Sequence, residues 1–159
     1  MATAATLPSS DHIAHLLSGL YGDVAVTEAK TPIDTSAAYT AAAYIDDENI
    51  IQRLIVCDVA FANFAGAALT MVPPAIANDG VKSGQVAPNI QENLSEVFNI
   101  CVNVFSDHSK QHLKLGSVVF PGGPIDETVA AAISASSDRT EFVAKIPRYG
   151  TGQIALLAK

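Results

Sequence analysis

The chain has 159 residues, enough for one domain that buries a sizeable core without disulfide or metal staples. With 49% hydrophobic and 16% charged residues it has the composition of a packed fold rather than a disordered segment. A net charge of −7, with nine scattered Lys and Arg residues, excludes nucleic acid as a ligand, because phosphate binding needs clustered cations.

Cys57 and Cys101 both lie inside apolar runs and are expected to be buried, reduced thiols of a cytosolic protein. The start, Met-Ala-Thr-Ala-Ala-Thr-Leu, lacks the basic residues and apolar core of a signal peptide. No stretch approaches the ~18–20 apolar residues of a membrane span. The nearest, from Ile50 to Pro74, is broken by Gln52, Arg53, Asp58 and Asn63. A cytoplasmic location with no membrane partner is expected.

In chain order, residues 1–10 are expected to fray. Ser10 or Asp11 can cap a helix over 12–20 whose apolar positions are Ile13, Leu16, Leu17 and Leu20, with Gly22 ending it. Residues 23–29 predict a strand and 37–46 a weaker second one. Residues 50–57, rich in β-branched side chains, predict a third. The turn Asp46-Asp47-Glu48-Asn49 makes the last two a hairpin. Asp58 can cap a helix over 59–72, where Ala62, Ala65 and Gly66 allow a neighbouring element to approach closely. Pro73-Pro74 stops that helix. Residues 77–87, containing Asn78-Asp79-Gly80 and Ser83-Gly84, read as the main loop.

Ile90–Phe105 is the most informative segment. Glu92, Glu96, Asn99 and Asn103 recur at spacings of four, three and four, which stacks them on one side of a 3.6-residue helix. Leu94, Val97, Phe98, Cys101, Val102 and Phe105 form the opposite, apolar side. Lys and Arg, the usual solvating residues, are absent from the stretch. A row of acids and amides on an anchored helix is a candidate working surface.

Beyond it, residues 113–120 predict a strand and Pro121-Gly122-Gly123-Pro124 a hard turn. Residues 126–135 suit either a short helix or a loop. Strands over 141–146 and 153–158 are joined by residues 147–152. The result is a single α/β (α+β) domain over 1–159, with a mostly antiparallel sheet and two central helices packed on it. Ile154, Leu156 and Leu157 of the last strand are expected to form an apolar edge suited to pairing between subunits.

The pattern Glu96-Val-Phe-Asn99, with acidic Glu92 four residues earlier, resembles the helix signature of the CheC/CheX-type phosphatases of bacterial chemotaxis. Element order from about residue 41 onward is similar as well, with Gly66-Ala-Ala-Leu-Thr-Met71 at the first long helix and its connection. The resemblance implies a sheet with two long helices on one face, and a homodimer, as is common among CheX-like members. It also implies hydrolysis of the aspartyl phosphate on a response-regulator receiver domain. Asn99 would position the attacking water and Glu96 would accept a partner lysine, while Glu92 and Asn103 would extend the partner-binding row. The protein would need no cofactor of its own, since the Mg²⁺ would be carried by the partner. Two departures stand out. Asn103 occupies a position where the family often has glycine. On the first long helix the only comparable residue is Asn63, with Ala60 at the Glu offset, which points to a single site. The alternatives are a non-catalytic adaptor of the same fold docking through the same face, and a dimeric domain whose polar face does no chemistry.

Other candidates are weaker. His12/His15 and His108/His112 have spacings that zinc pairs can use, but the first pair straddles Ile13 on an amphipathic helix and the second lies at a helix end, where His suits the dipole. Asp46-Asp47-Glu48 lacks the spaced oxygens and glycine of a calcium loop. Gly150-Thr-Gly152 reads as a hairpin turn, since no Lys-Ser/Thr follows it as in a phosphate cradle.

Overall fold

A computed structural model describes residues 7–109 and 112–158. Along them run α1 (Ser10–Tyr21), β1 (Ala25–Glu28), β2 (Tyr39–Ile45), β3 (Ile51–Asp58), α2 (Val59–Leu69) and α3 (Pro74–Ser83). Then follow α4 (Pro88–Ser109), β4 (Lys114–Val119), α5 (Glu127–Ala135), β5 (Asp138–Ile146) and β6 (Gly150–Ala158). The strands form one antiparallel sheet in the order β1-β5-β6-β3-β2-β4.

Strand alternation gives the sheet two apolar faces. Ala42, Tyr44, Ile55, Cys57, Phe142, Ile154 and Leu156 pack with Ile13 and Leu17 of α1, Phe61 and Phe64 of α2, and Ile90, Leu94, Phe98 and Phe105 of α4. Ala41, Ala43, Leu54, Val56, Ala155 and Leu157 pack with Ile33 and with Val129 and Ile133 of α5. The expected pair of long helices thus lies on one face, and α5 covers the other.

The last strand is central, not an edge. It pairs with β5 on one side and β3 on the other, and Ile154, Leu156 and Leu157 are buried. A continuous apolar run belongs to a strand covered on both faces, which is why Ile-Ala-Leu-Leu-Ala carries no polar alternation. The expected subunit pairing through this strand is therefore ruled out; the edges of the sheet are β1 and β4.

Local chemistry sets the helix starts. Ser9, rather than Ser10 or Asp11, caps α1: its Oγ accepts from the His12 N–H at 3.4 Å, and the Ser9 N–H donates to His12 Nδ1 at 3.3 Å. Leu7 packs against the core and Pro8 is buried, so the fold already includes residues before α1. The fraying expected of residues 1–6 falls outside the described residues. Asp58 caps α2 through Oδ1, which accepts from Phe61 N–H at 2.8 Å and from Gln153 N–H of β6 at 3.1 Å. Asp46 closes the β2–β3 turn by accepting from Glu48 and Ile50 N–H, with Asn49 at a left-handed φ of 64°.

The expected loop over 77–87 is largely a helix, α3. Pro74 occupies its first turn, where no N–H is needed, and Gly84 ends it at a left-handed φ of 72°. Gly80 is not a turn residue. A β-carbon there would stand 2.2 Å from Asn63 Oδ1 and 2.9 Å from the Gln85 carbonyl oxygen, so its smallness admits α2. Residues 127–135 resolve as helix α5, capped by Asp126, whose Oδ1 accepts from Thr128 and Val129 N–H.

Candidate functional site

The row foreseen on the second long helix is the solvent face of α4. Ile90, Leu94, Val97, Phe98, Cys101 and Phe105 are buried beneath it, and Val102 is half-buried at its margin. Burying a large apolar side chain contributes roughly 1.5–3 kcal/mol, so five of them, with the Cys101 thiol beside them, hold the helix firmly. Glu92, Glu96, Asn99 and Asn103 are all exposed on the opposite side. Along the axis the row spans about 16 Å, and Glu96 and Asn99 lie about 4.5 Å apart. None of the four side chains has a hydrogen bond or ion pair among the described residues.

Three contacts fix the helix under that row. Gly66 of α2 lies against Ile90 so closely that a β-carbon would meet the Ile90 side chain at 2.6 Å. Asn93 Nδ2 donates to the Gly66 carbonyl at 3.0 Å and to Thr70 Oγ1 at 2.7 Å. The Tyr44 hydroxyl, rising from β2, donates to the Phe98 carbonyl at 2.7 Å, one residue before Asn99. Tyr44 and Phe105 also stack at a tilt, their ring centroids 5.1 Å apart. Sequence reasoning missed Asn93 and Tyr44. Asn93 left one signal, a carboxamide off the exposed row on the flank that meets the small residues of α2.

Asn63 is not brought to the row. It is buried in α2, where Nδ2 donates to the Val59 carbonyl and to the Gln85 carbonyl, both at 3.0 Å. Its role is to tie α2 to the link between α3 and α4. One polar helix face, on α4, therefore carries both an exposed Glu and an exposed Asn a turn apart.

The remaining candidates have structural roles. His12 serves the α1 cap, and His112 Nδ1 lies 2.7 Å from Asp47 Oδ1 on the surface. The His108 side chain lies outside the described residues. Among the described residues no group of three or more His, Cys, Asp and Glu side chains converges. Cys57 and Cys101 are buried free thiols; burial pushes the Cys101 thiol up to about 12 and Cys57 well above its ordinary value, so neither forms a thiolate readily. Gly152 lies in β6 against the start of α2, where a β-carbon would clash with the Phe61 backbone, so it serves packing. Among the described residues no helix is long and apolar enough to cross a membrane.

A convex row of unengaged acids and amides cannot enclose a small substrate. It can orient a water and accept cations from a surface laid against it, which suits a macromolecular partner carrying the reacting group.

No protein-family model and no curated protein sequence matches the chain. Solved structures do. The CheX of Borrelia burgdorferi, in a complex with CheY, BeF₃ and Mg²⁺, superposes with a TM-score of 0.58 at 13% identity, covering 94% of each chain. The FliM middle domain of Vibrio alginolyticus gives 0.54 at 8% identity, over 93% of this chain and 86% of that one. A CheC-like chemotaxis protein of Shewanella oneidensis gives 0.50 at 10% identity, over 95% and 93%. The chain therefore has the CheC/CheX-type fold that these proteins share.

Proposed function

We propose that the protein is a CheX-like phosphatase that hydrolyses the aspartyl phosphate of a response-regulator receiver domain in the cytoplasm. The observation that carries the reading is the pair Glu96 and Asn99, one turn apart, exposed and unengaged on a helix clamped from below. The CheC/CheX-type fold supports it.

Hydrolysis of an acyl phosphate needs a water in line with the breaking phosphorus–oxygen bond. The water oxygen bonds to phosphorus as the aspartate carboxylate leaves, and inorganic phosphate is released. Asn99 suits this step, because its Oδ1 accepts from the water while its Nδ2 donates to a phosphoryl oxygen. Glu96 accepts a lysine of the receiver and sets the docking register. Glu92 and Asn103 extend the contact along the helix. Mg²⁺ belongs to the receiver, where it neutralises charge on the phosphoryl group. One oriented water supplies about 2–3 kcal/mol, on the order of 30–150-fold in rate.

The adaptor reading draws on Asn103, which adds a side chain where a glycine would let a partner's backbone approach. Following phosphate loss from a phosphorylated receiver separates the two. Acceleration that disappears in Asn99→Ala supports the phosphatase. Binding with no acceleration leaves the adaptor, and neither binding nor acceleration removes both.

A further inference from the structure

We infer that the receiver docks on a surface wider than the polar row, anchored by two exposed apolar side chains, Met71 and Ile125, on opposite flanks of the Glu92 turn. This inference rests on the phosphatase reading and deepens it, by specifying the footprint and chemistry of the partner.

Met71 and Ile125 are the most exposed large hydrophobic side chains among the described residues, at 73% and 87%. Each is connected to one neighbour of Glu92. On the α2 side, Thr70 precedes Met71 and its Oγ1 accepts from Asn93. On the β4 side, Ile125 and Gln91 line the same hollow of about 550 Å³, with Phe120 and Pro124 in its wall. Residues 91 and 93 lie about 200° apart around a helix, so the two anchors stand on either side of the exposed row.

Exposed ion pairs and amides contribute little affinity, and a row of Glu and Asn has no anchor of its own. Interfaces draw most of their energy from a few large side chains, and Met is enriched there because it adapts to irregular surfaces. Met71 also holds a left-handed φ of 58°, a costly conformation for an unbranched apolar residue, and one that keeps the side chain at the tip of the α2–α3 turn.

Charge specifies the occupant. Segments 54–81, 83–109 and 115–138, which supply most of this surface, contain no Lys or Arg, and the cation Arg148 stands at its margin, lining a second hollow with Met71 and Asp23. They present Glu92, Glu96 and Glu127 to solvent, with half-buried Asp126 beside Glu127 in the hollow. A partner that fits brings apolar patches framed by its own cations, and a second copy of this anionic surface would be repelled.

The test uses the full chain with a CheY-type receiver domain loaded with BeF₃⁻ and Mg²⁺. Met71→Asn suits the left-handed backbone, and Ile125→Ser changes a largely exposed side chain, so both variants should melt as the parent does. Each should weaken receiver binding about fivefold and the pair about 25-fold, while Asn99→Ala retains binding and loses only phosphate release. Parent-like affinity of the double variant overturns the footprint while leaving the phosphatase reading intact. If the parent itself neither binds nor dephosphorylates the receiver, that reading fails and the footprint fails with it. A double variant that converts a dimer to a monomer, with receiver affinity unchanged, assigns the patches to self-association and also overturns the inference.

Discussion

Ile90 rests directly on Gly66: a β-carbon at position 66 would stand 2.6 Å from Ile90 Cγ2 and 2.8 Å from the Ile90 carbonyl oxygen. The second obstacle is backbone, so it cannot yield by a rotamer change. Gly66→Ala gains about 1 kcal/mol of helix propensity, yet forces α2 and α4 apart. Overpacking of this kind costs typically 1–3 kcal/mol, and separating the helices also strains the Asn93 bonds to Gly66 and Thr70. A net loss of about 1–2 kcal/mol is expected in urea unfolding. A variant more stable than the parent would remove the close approach from the account of how α4 is held.

That approach was legible in the sequence because small residues at 62, 65 and 66 have only one common use inside an apolar helix. The α4 row was legible for a similar reason, since more than four turns of 3.6-residue periodicity over residues 90–105 leave little room for another reading. Three features were not legible. Asn78-Asp79-Gly80 has the composition of a turn, and only the Asn63 side chain and the Gln85 carbonyl beside Gly80 explain why it continues as helix α3. Ile154, Leu156 and Leu157 show their own apolarity but not their neighbours, so a central strand passed for an edge. Asn63 gives no sign of its burial, because its partners are carbonyl groups at Val59 and Gln85, positions that only folding brings together.

Asp58 joins the start of α2 to β6, and its carboxyl is held above the ordinary value of 3.8, first by burial, with the Phe61 and Gln153 N–H groups pulling the other way. A raised carboxyl favours the protonated form in the folded state. Its stabilising contribution is present in full below the unfolded value and is lost as pH rises through the folded one. Asp58→Asn keeps a neutral acceptor in place, so the parent should lose stability relative to this variant between pH 3 and pH 7. Asp58→Ala leaves both N–H groups unpaired and should cost about 1–2 kcal/mol at low pH, and less as pH rises through the folded value of the parent. Denaturant unfolding of the three proteins across that range checks this, and a parent–Asn difference that is flat or of opposite slope would contradict it.

Cys57 faces the α2–α4 layer from β3, and Cys101 lies on the buried side of α4. Both thiols are raised by burial, so neither access nor thiolate is available in the folded protein. A maleimide reagent at pH 7.5 should leave both untouched in native buffer and label both in denaturant. Labelling of either at a rate above that of global unfolding would mean that the helix layer opens locally at that residue.

Glu96 and Asn99 have different tasks in the proposed reaction, and kinetics can separate them. Asn99 acts on the water, so Asn99→Ala should lower kcat toward the receiver's own rate, a loss on the order of 30–150-fold, with KM nearly unchanged. Glu96 acts through charge on a docking lysine. Glu96→Gln keeps the shape and hydrogen-bonding capacity but removes the charge, so it should raise KM several-fold and leave kcat close to the parent value. Because exposed charges are screened within about 8–10 Å at physiological ionic strength, added salt should raise the parent's KM and move that of Glu96→Gln much less. The same salt response in both proteins would remove Glu96 from the docking contact. A fall in kcat rather than a rise in KM would instead assign Glu96 to the reacting centre beside Asn99.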